Sequence, residues 1–184
     1  MSVHALAVCS DHKFTKPTVQ SLNLLTGLGV EGDCHLGVTV QHRSRLHIKP
    51  PPANLRQVHL IPLEILEPLG VRPGQIGENV TTTGVDLLSL GTGAKLHFLP
   101  VGGVAPTAAD GHAIVVVQGV RNPCPQIDKY RKGLKECFIV RDADRNIVAR
   151  RAGVMGTVEV GGPIRVGMSI FVEHPESYQP LQCV

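Results

Sequence analysis

Alternation of apolar and polar positions dominates the chain and predicts short strands more often than helices. "VHALAV" (3–8) reads as a first strand, and "KFTKPTVQSLNLLTGLG" (13–29) keeps a rough alternation up to a Gly-x-Gly turn. Residues 36–55 are basic, contain histidine and run through three consecutive prolines, which predicts a long surface loop of the kind that often carries function. "RQVHLI" (56–61) predicts a strong strand. "PLEILEPLG" (62–70) predicts a short helix, with Pro62 at its first position and Gly70 as its stop. Strands are expected at 79–83 and 95–99 with Gly91 and Gly93 in the turn between them, and 112–120 reads as the most buried strand. A short helix follows the proline bend within 123–133, then a strand, a polar turn and a strand over 137–150. The last strands lie around Gly161, Gly162 and Gly167. No repeat, low-complexity tract or interior linker interrupts the chain. The expectation is one mostly β domain over 1–184, with its core at about 3–172 and a short tail at 173–184. A twisted, closed β-barrel with a few short helices is the economical form, because closure removes exposed edges.

Composition narrows the picture. Hydrophobic residues are 42% of the 184, but aromatics are 3% and tryptophan is absent, so Val, Leu and Ile must build the core. Twenty glycines and 14 prolines favour strands joined by turns. A net charge of +3 suits a small anionic ligand but supplies no nucleic-acid stripe, and too few aromatics are present to stack bases. Five cysteines form neither a CxxC pair nor a zinc-knuckle spacing, and their odd number argues for a reduced, intracellular setting over a disulfide scaffold. The first residues do not read as a signal peptide, and no apolar run approaches the ~20 residues of a membrane helix. A soluble, cytoplasmic protein without membrane or nucleic-acid partners is expected.

Four clusters could carry chemistry. In "GLGVEGDCHLG" (27–37), Asp33 and His35 can orient one another among glycines that admit a ligand, though the same residues also suit an Asx-type turn with a surface histidine. In "PGQIGENVTTTG" (73–84), Glu78 and Asn79 stand where a glycine-rich turn enters a strand, either lining a barrel mouth or satisfying backbone groups. In "VRNPCPQID" (120–128), Cys124 sits between two prolines that stiffen the bend, close to Arg121, and a neighbouring cation raises the thiolate fraction that binds metal or carries sulfur. A structural corner is the competing reading of that segment. For Cys9 and Cys137 the default is a small buried hydrophobe. Lys13, Lys16, Arg43, Arg45 and Arg56 form a basic set that suits a phosphate cradle or a solvated face.

In this order, the clusters resemble the MOSC domain, named from the C-terminal part of molybdenum cofactor sulfurase. The matching segments run from Lys13 and Lys16 through "GVEGDCH", "RQVHLI", "PGQIGENVTTTGVDLLSLGTGAKL" and the "R.PC..ID" segment to "AGVMGTVEVGGPIRVGM", spanning about 3–172. The resemblance implies a strongly twisted barrel that binds the molybdenum cofactor. It implies Cys124 as the molybdenum ligand or sulfur carrier, with Asn79 facing the cofactor and Lys13, Lys16 and Arg56 near its phosphate. Asp33, His35, Glu78 and Arg121 would line the pocket, the first three as catalytic groups beside Cys124. Cys34 departs from the basic or small residue that many relatives carry there. No lysine has a visible Schiff-base context for pyridoxal phosphate, and no ferredoxin-type cysteine set supplies electrons.

Three readings follow. The first is a molybdenum-cofactor oxidoreductase that reduces N-hydroxylated or N-oxygenated small molecules with an external electron donor. The second is a cofactor or sulfur carrier that uses Cys124 and a sulfur-donor protein. The third is a barrel adapted to another small anionic ligand.

Overall fold

A computed structural model describes residues 1–42, 45–106 and 111–184. Thirteen strands and three short helices follow one another as β1 (Ser2–Ala7), β2 (Thr18–Val19), β3 (Ser21–Leu25), β4 (Gly29–Val30), β5 (Val58–Pro62), α1 (Leu63–Leu66), β6 (Val80–Thr83), β7 (Lys95–Leu99), β8 (Ile114–Val120), α2 (Pro125–Tyr130), α3 (Leu134–Cys137), β9 (Ile139–Arg141), β10 (Ile147–Arg150), β11 (Val154–Val160), β12 (Gly162–Arg165) and β13 (Ser169–Glu173). Seven of the strands close on themselves in the order β1-β6-β5-β11-β8-β7-β13, with β13 returning to β1 through Ser2 and Ser169. Only β5 and β6 run parallel within that ring, so the barrel is mixed. β2 extends the β1 edge, β12-β3-β4 form a flanking sheet, and β9-β10 make a separate hairpin.

The expected closed, mostly β barrel is therefore the observed fold. Its interior is filled by aliphatic side chains and Phe98, among them Leu60, Val80, Leu96, Val115, Val117 and Val154. A second core lies outside the barrel wall, where Leu66, Ile76, Ile127, Leu134 and Phe138 pack around Ile61. Strand β5 separates the two cores and is buried at all five positions. That explains an apolar run without alternation: both faces of β5 meet hydrocarbon. β8 behaves differently. Its sequence is apolar except for Gln118, yet burial alternates along it, because only one face points into the barrel.

Several boundaries move for physical reasons. Arg56 and Gln57 precede β5, where Gln57 donates to the Gly27 carbonyl at 2.7 Å and accepts from the Val158 amide at 2.9 Å. Pro62 is extended (φ −67°, ψ 137°) and caps α1 instead of opening it. The helical turns do end at Gly70, but as four α residues followed by a 3₁₀ turn at Glu67–Leu69. The described residues of segment 36–55 form no named strand or helix apart from a Thr39–Ala53 bridge, yet they are not wholly superficial, since Val40 and Asn54 are buried. Cys137 is exposed, not a buried hydrophobe, because it ends α3 on the outer side. Residues beyond Glu173 do not trail away. The Val120 amide donates to the Gln182 carbonyl at 2.9 Å and Val120 bridges Cys183, which lays the tail along β8.

β11 can approach β5 only because of Gly153. Its φ is 89°, and a Cβ there would stand 2.2 Å from the Leu60 carbonyl oxygen. The same residue's carbonyl accepts from the Arg121 amide at 2.9 Å, so the glycine also sets the start of the segment after β8. Gly153→Ala should lower unfolding free energy by at least about 2 kcal/mol, through left-handed strain added to a backbone clash. Denaturant unfolding measures it; an unchanged midpoint would contradict the assigned packing.

Candidate functional site

The site grows from a buried carboxylate. The turn after β4 carries Asp33, whose side chain is 1% exposed, against Lys16 Nζ at 2.6 Å from Oδ2. Asn79 Nδ2 donates to the same oxygen at 2.9 Å and to the Ala7 carbonyl at 3.2 Å, while Asn79 Oδ1 accepts from the His59 amide at 3.2 Å. The other carboxylate oxygen takes the His35 amide and faces His35 Nδ1, both at 3.0 Å. One carboxylate thus joins the loop before β2, the turn after β4, and the entry to β6. Burial opposes the charge on Asp33, but His35 and Lys16 outweigh it and hold the carboxyl well below its ordinary 3.8.

Lys16 is steered into this pair by backbone contact. Its amide donates to the Gly74 carbonyl at 2.8 Å. Gly74 has φ 83°, and a Cβ on it would lie 2.2 Å from the Lys16 carbonyl oxygen, so no larger residue fits there. Glu78 closes the same turn. Its carboxylate accepts from the Gly74 amide at 2.5 Å and the Ile76 amide at 3.3 Å, and it is fully buried. Burial raises its pKa, against the pull of those amides and Arg121.

Above these groups lies a cleft with a different character. Arg121 is buried at the end of β8 and donates to the Ile76 carbonyl at 2.7 Å. Burial lowers the pKa of its guanidinium, while the neighbouring Cys124 and Glu78 oppose that loss. His59, within β5, donates from Nε2 to the Ala152 carbonyl at 2.7 Å, leaving Nδ1 as the acceptor 3.4 Å from Arg121 Nη1. Burial, then the Arg121 charge, keeps this imidazole neutral at pH 7. Cys124 is the extended N-cap residue of α2 with Pro125 in the first helical turn, and it is half-buried against the outer core. Arg56 completes the cleft. Burial, followed by repulsion from Arg45 and Arg121, pushes its pKa down to about 10, while Cys124 and Cys183 favour its charge. Burial and Arg56 likewise push His42 down to about 4.

Lys13, Lys16, Arg56 and Arg121 all line this cleft, together with His35, Asn79 and Cys124, and among the described residues no carboxylate does. The enclosed part is small, about 70 Å³, and opens to solvent. The expected residues are therefore largely brought together, with three qualifications. Asp33 lies beneath the cleft as its organiser. Glu78 is absent from the lining because its carboxylate is spent on the 74–76 backbone. Lys16 reaches the cleft with its charge already matched by Asp33, and Lys13 is exposed and pairs with Asp11 at 3.0 Å. Arg43 lies outside the described residues. Sequence reasoning missed His59, Met155 and the approach of Cys183 to Arg56. His59 had a signal, a lone polar residue inside the apolar run "VHLI".

Fold and site together define a class: a closed mixed β-barrel with a cationic, carboxylate-free cleft and a thiol in its wall. The chain has this fold in common with the YUAD protein of Bacillus subtilis, at 23% identity and TM-score 0.71 over 95% of this chain and 96% of that one. YiiM from Escherichia coli has it too, at 17% identity and TM-score 0.59 over 98% of this chain and 73% of that one. YiiM from Geobacillus stearothermophilus aligns with 14% identity and TM-score 0.59, covering 94% of this chain and 74% of that one. By sequence, no protein-family model and no curated protein matches.

Two measurements test the site's electrostatics. Because Asp33 is depressed on folding, its contribution to stability is complete above 3.8 and is lost as pH falls below that value. Asp33→Asn should flatten that acid limb and cost about 3 kcal/mol at pH 7 by leaving Lys16 buried and unmatched. Equal acid sensitivity in both proteins would contradict the hub. Burial, then Asp33, pushes the Cys34 thiol up to about 11. Alkylation of Cys34 in metal-free protein should consequently be slow at pH 8 and climb toward pH 11, as mapped by mass spectrometry; fast labelling at neutral pH would contradict it.

Proposed function

We propose that this chain is a molybdenum-cofactor-binding MOSC-type protein that reduces N-hydroxylated or N-oxygenated small molecules with electrons from an external donor. The observation that carries the reading is the cleft itself, four cations and a thiol with no carboxylate among the lining residues. That donor set fits the group. A soft thiolate suits molybdenum already held by pterin sulfurs, and arginine suits a phosphate. Cys124 and Arg121 would hold the metal end of the group and Arg56 its phosphate, with Lys13 exposed at the edge of the cleft.

Bound there, the cofactor supplies the two-electron exchange. The protein's own part is binding and orientation. Cys124 would provide the ligand sulfur, and Arg121, fixed by the Ile76 carbonyl and backed by neutral His59, places a cation beside it in the same cleft. Arg56 is the phosphate contact. Among the described residues it forms no ion pair, whereas Lys16 is committed to Asp33. Overall, an N–OH group takes two electrons from the donor and two protons from solvent, the N–O bond breaks, and an N–H group and water result.

One observation favours the carrier reading as a second possibility. The tail is laid along β8 by the Val120–Cys183 bridge, and Cys183 acts electrostatically on Arg56 from outside the cleft lining, a second thiol for the sulfur relay that reading requires.

The test is turnover of an N-hydroxylated base with a supplied electron donor. Cys124→Ser should keep the circular dichroism of the barrel and lose essentially all turnover, since a serine hydroxyl rarely ionises near neutrality. Cys183→Ala should keep turnover under the reductase reading. Undiminished turnover in Cys124→Ser, or none in the cofactor-loaded parent protein, would overturn the proposal. Arg56→Gln should weaken cofactor retention on the order of ten- to a hundredfold, and retention in the parent protein should fall with added salt. Equal retention by both proteins would remove Arg56 from the phosphate site.

A further inference from the structure

The loop carrying His12 and the turn carrying Cys34 and His35 meet at the rim of the cleft, where the Cys34 amide donates to the Cys9 carbonyl at 2.9 Å. One ligand atom from each of His12, Cys34 and His35 lies within 4.8 Å of the others. The His12 and His35 rings meet edge to face with centroids 5.7 Å apart, and Cys34 Sγ is 3.3 Å from His35 Nδ1. His12 is exposed and the other two are half-exposed, so neither core depends on them.

We propose that His12, Cys34 and His35 form a one-cysteine, two-histidine site for a zinc ion, with its fourth position open toward the cationic cleft. Three features support the assignment. The donors are one sulfur and two imidazoles, a set that suits zinc and disfavours magnesium or calcium, which take oxygen ligands. His35 Nδ1 faces the buried Asp33 carboxylate at 3.0 Å, which leaves Nε2 for the metal and reproduces the carboxylate–imidazole pairing that orients metal-binding histidines. Asp33 is itself fixed by Lys16 and Asn79, so this support is rigid. Tetrahedral zinc, with bonds of about 2.3 Å to sulfur and 2.0 Å to nitrogen, needs its ligand atoms about 3.5 Å apart. The donor groups, within 4.8 Å of one another before any metal is bound, reach that spacing by side-chain rotation on two tethered loops. Three protein ligands and an open position are the pattern of a zinc that binds an exchangeable oxygen, so the ion would add a Lewis acid at the edge of an anion-binding cleft. The inference does not rest on the molybdenum reading, which uses Cys124.

The test uses chelator-treated, reduced full-length protein and metal alone. Cobalt(II) should bind once per chain, giving the strong visible bands of a tetrahedral site and a near-ultraviolet thiolate-to-cobalt band, and one equivalent of zinc should bleach both. His12→Ala, an exposed loop change whose fold is checked by circular dichroism, should weaken zinc at least tenfold against a chromophoric chelator. Cys34→Ser should abolish the thiolate band, while Cys124→Ser should leave it in place. A parent protein without the band, or His12→Ala binding zinc as tightly as the parent, would overturn the proposal. So would a band lost in Cys124→Ser and kept in Cys34→Ser, which would place the ion on the other thiol.

Discussion

The Asp33 carboxylate is buried with a single lysine as its charge partner, and that lysine lies 2.6 Å away with a side chain only 3% exposed. A carboxylate removed from water in this way is costly unless most of its acceptor sites are filled. Here they are filled by four groups from three parts of the chain: Lys16, Asn79, and the ring and amide of His35. The energetic requirement to satisfy one oxygen pair therefore fixes where three loops must sit. Those loops are the ones that present His12, Lys13, His35 and the 74–79 turn to the cleft. Gly74 enters the same arrangement, since its missing side chain lets the turn press on Lys16.

The opposite wall is set by hydrocarbon. β5 lies between the barrel interior and the outer core, so His59 has no water on either side and must find partners within the protein. It does so with the Ala152 carbonyl and Arg121, which keeps the imidazole neutral and the guanidinium in place. Arg121 in turn lines the cleft beside Cys124. The thiol's surroundings thus follow from packing around β5, while the cleft's outer edge follows from the Asp33 hub. Between them stands Arg56, whose charge is kept despite burial and two neighbouring arginines.

Much of the barrel was legible because strand alternation is a local property. "VHALAV", the 79–83 and 95–99 segments and the 137–150 hairpin can be found within a few residues, since each pattern reports its own two faces. Closure was inferred from edge protection, but its register was not readable: Ser2 meets Ser169, and β5 and β6 pair in parallel across a helical connection. Site residues divided along the same line. Asp33, His35, Asn79, Arg121 and Cys124 stood out by type and spacing. Whether each faces a ligand or the backbone depends on contacts distant in sequence, and so Glu78 proved to brace its own turn while Lys16 proved to be matched by Asp33. Cys183 shows the same limit, because a β8 bridge brings it to the site, not any motif around it.

The proposed function requires this cleft to hold a molybdenum-bearing anion through Cys124 and its cations. The most direct measurement is molybdenum and pterin content per chain in protein purified from a host that makes the cofactor. The account predicts near one of each in the parent protein. Protein that carries neither, from a host in which a control molybdenum protein is fully loaded, would contradict it.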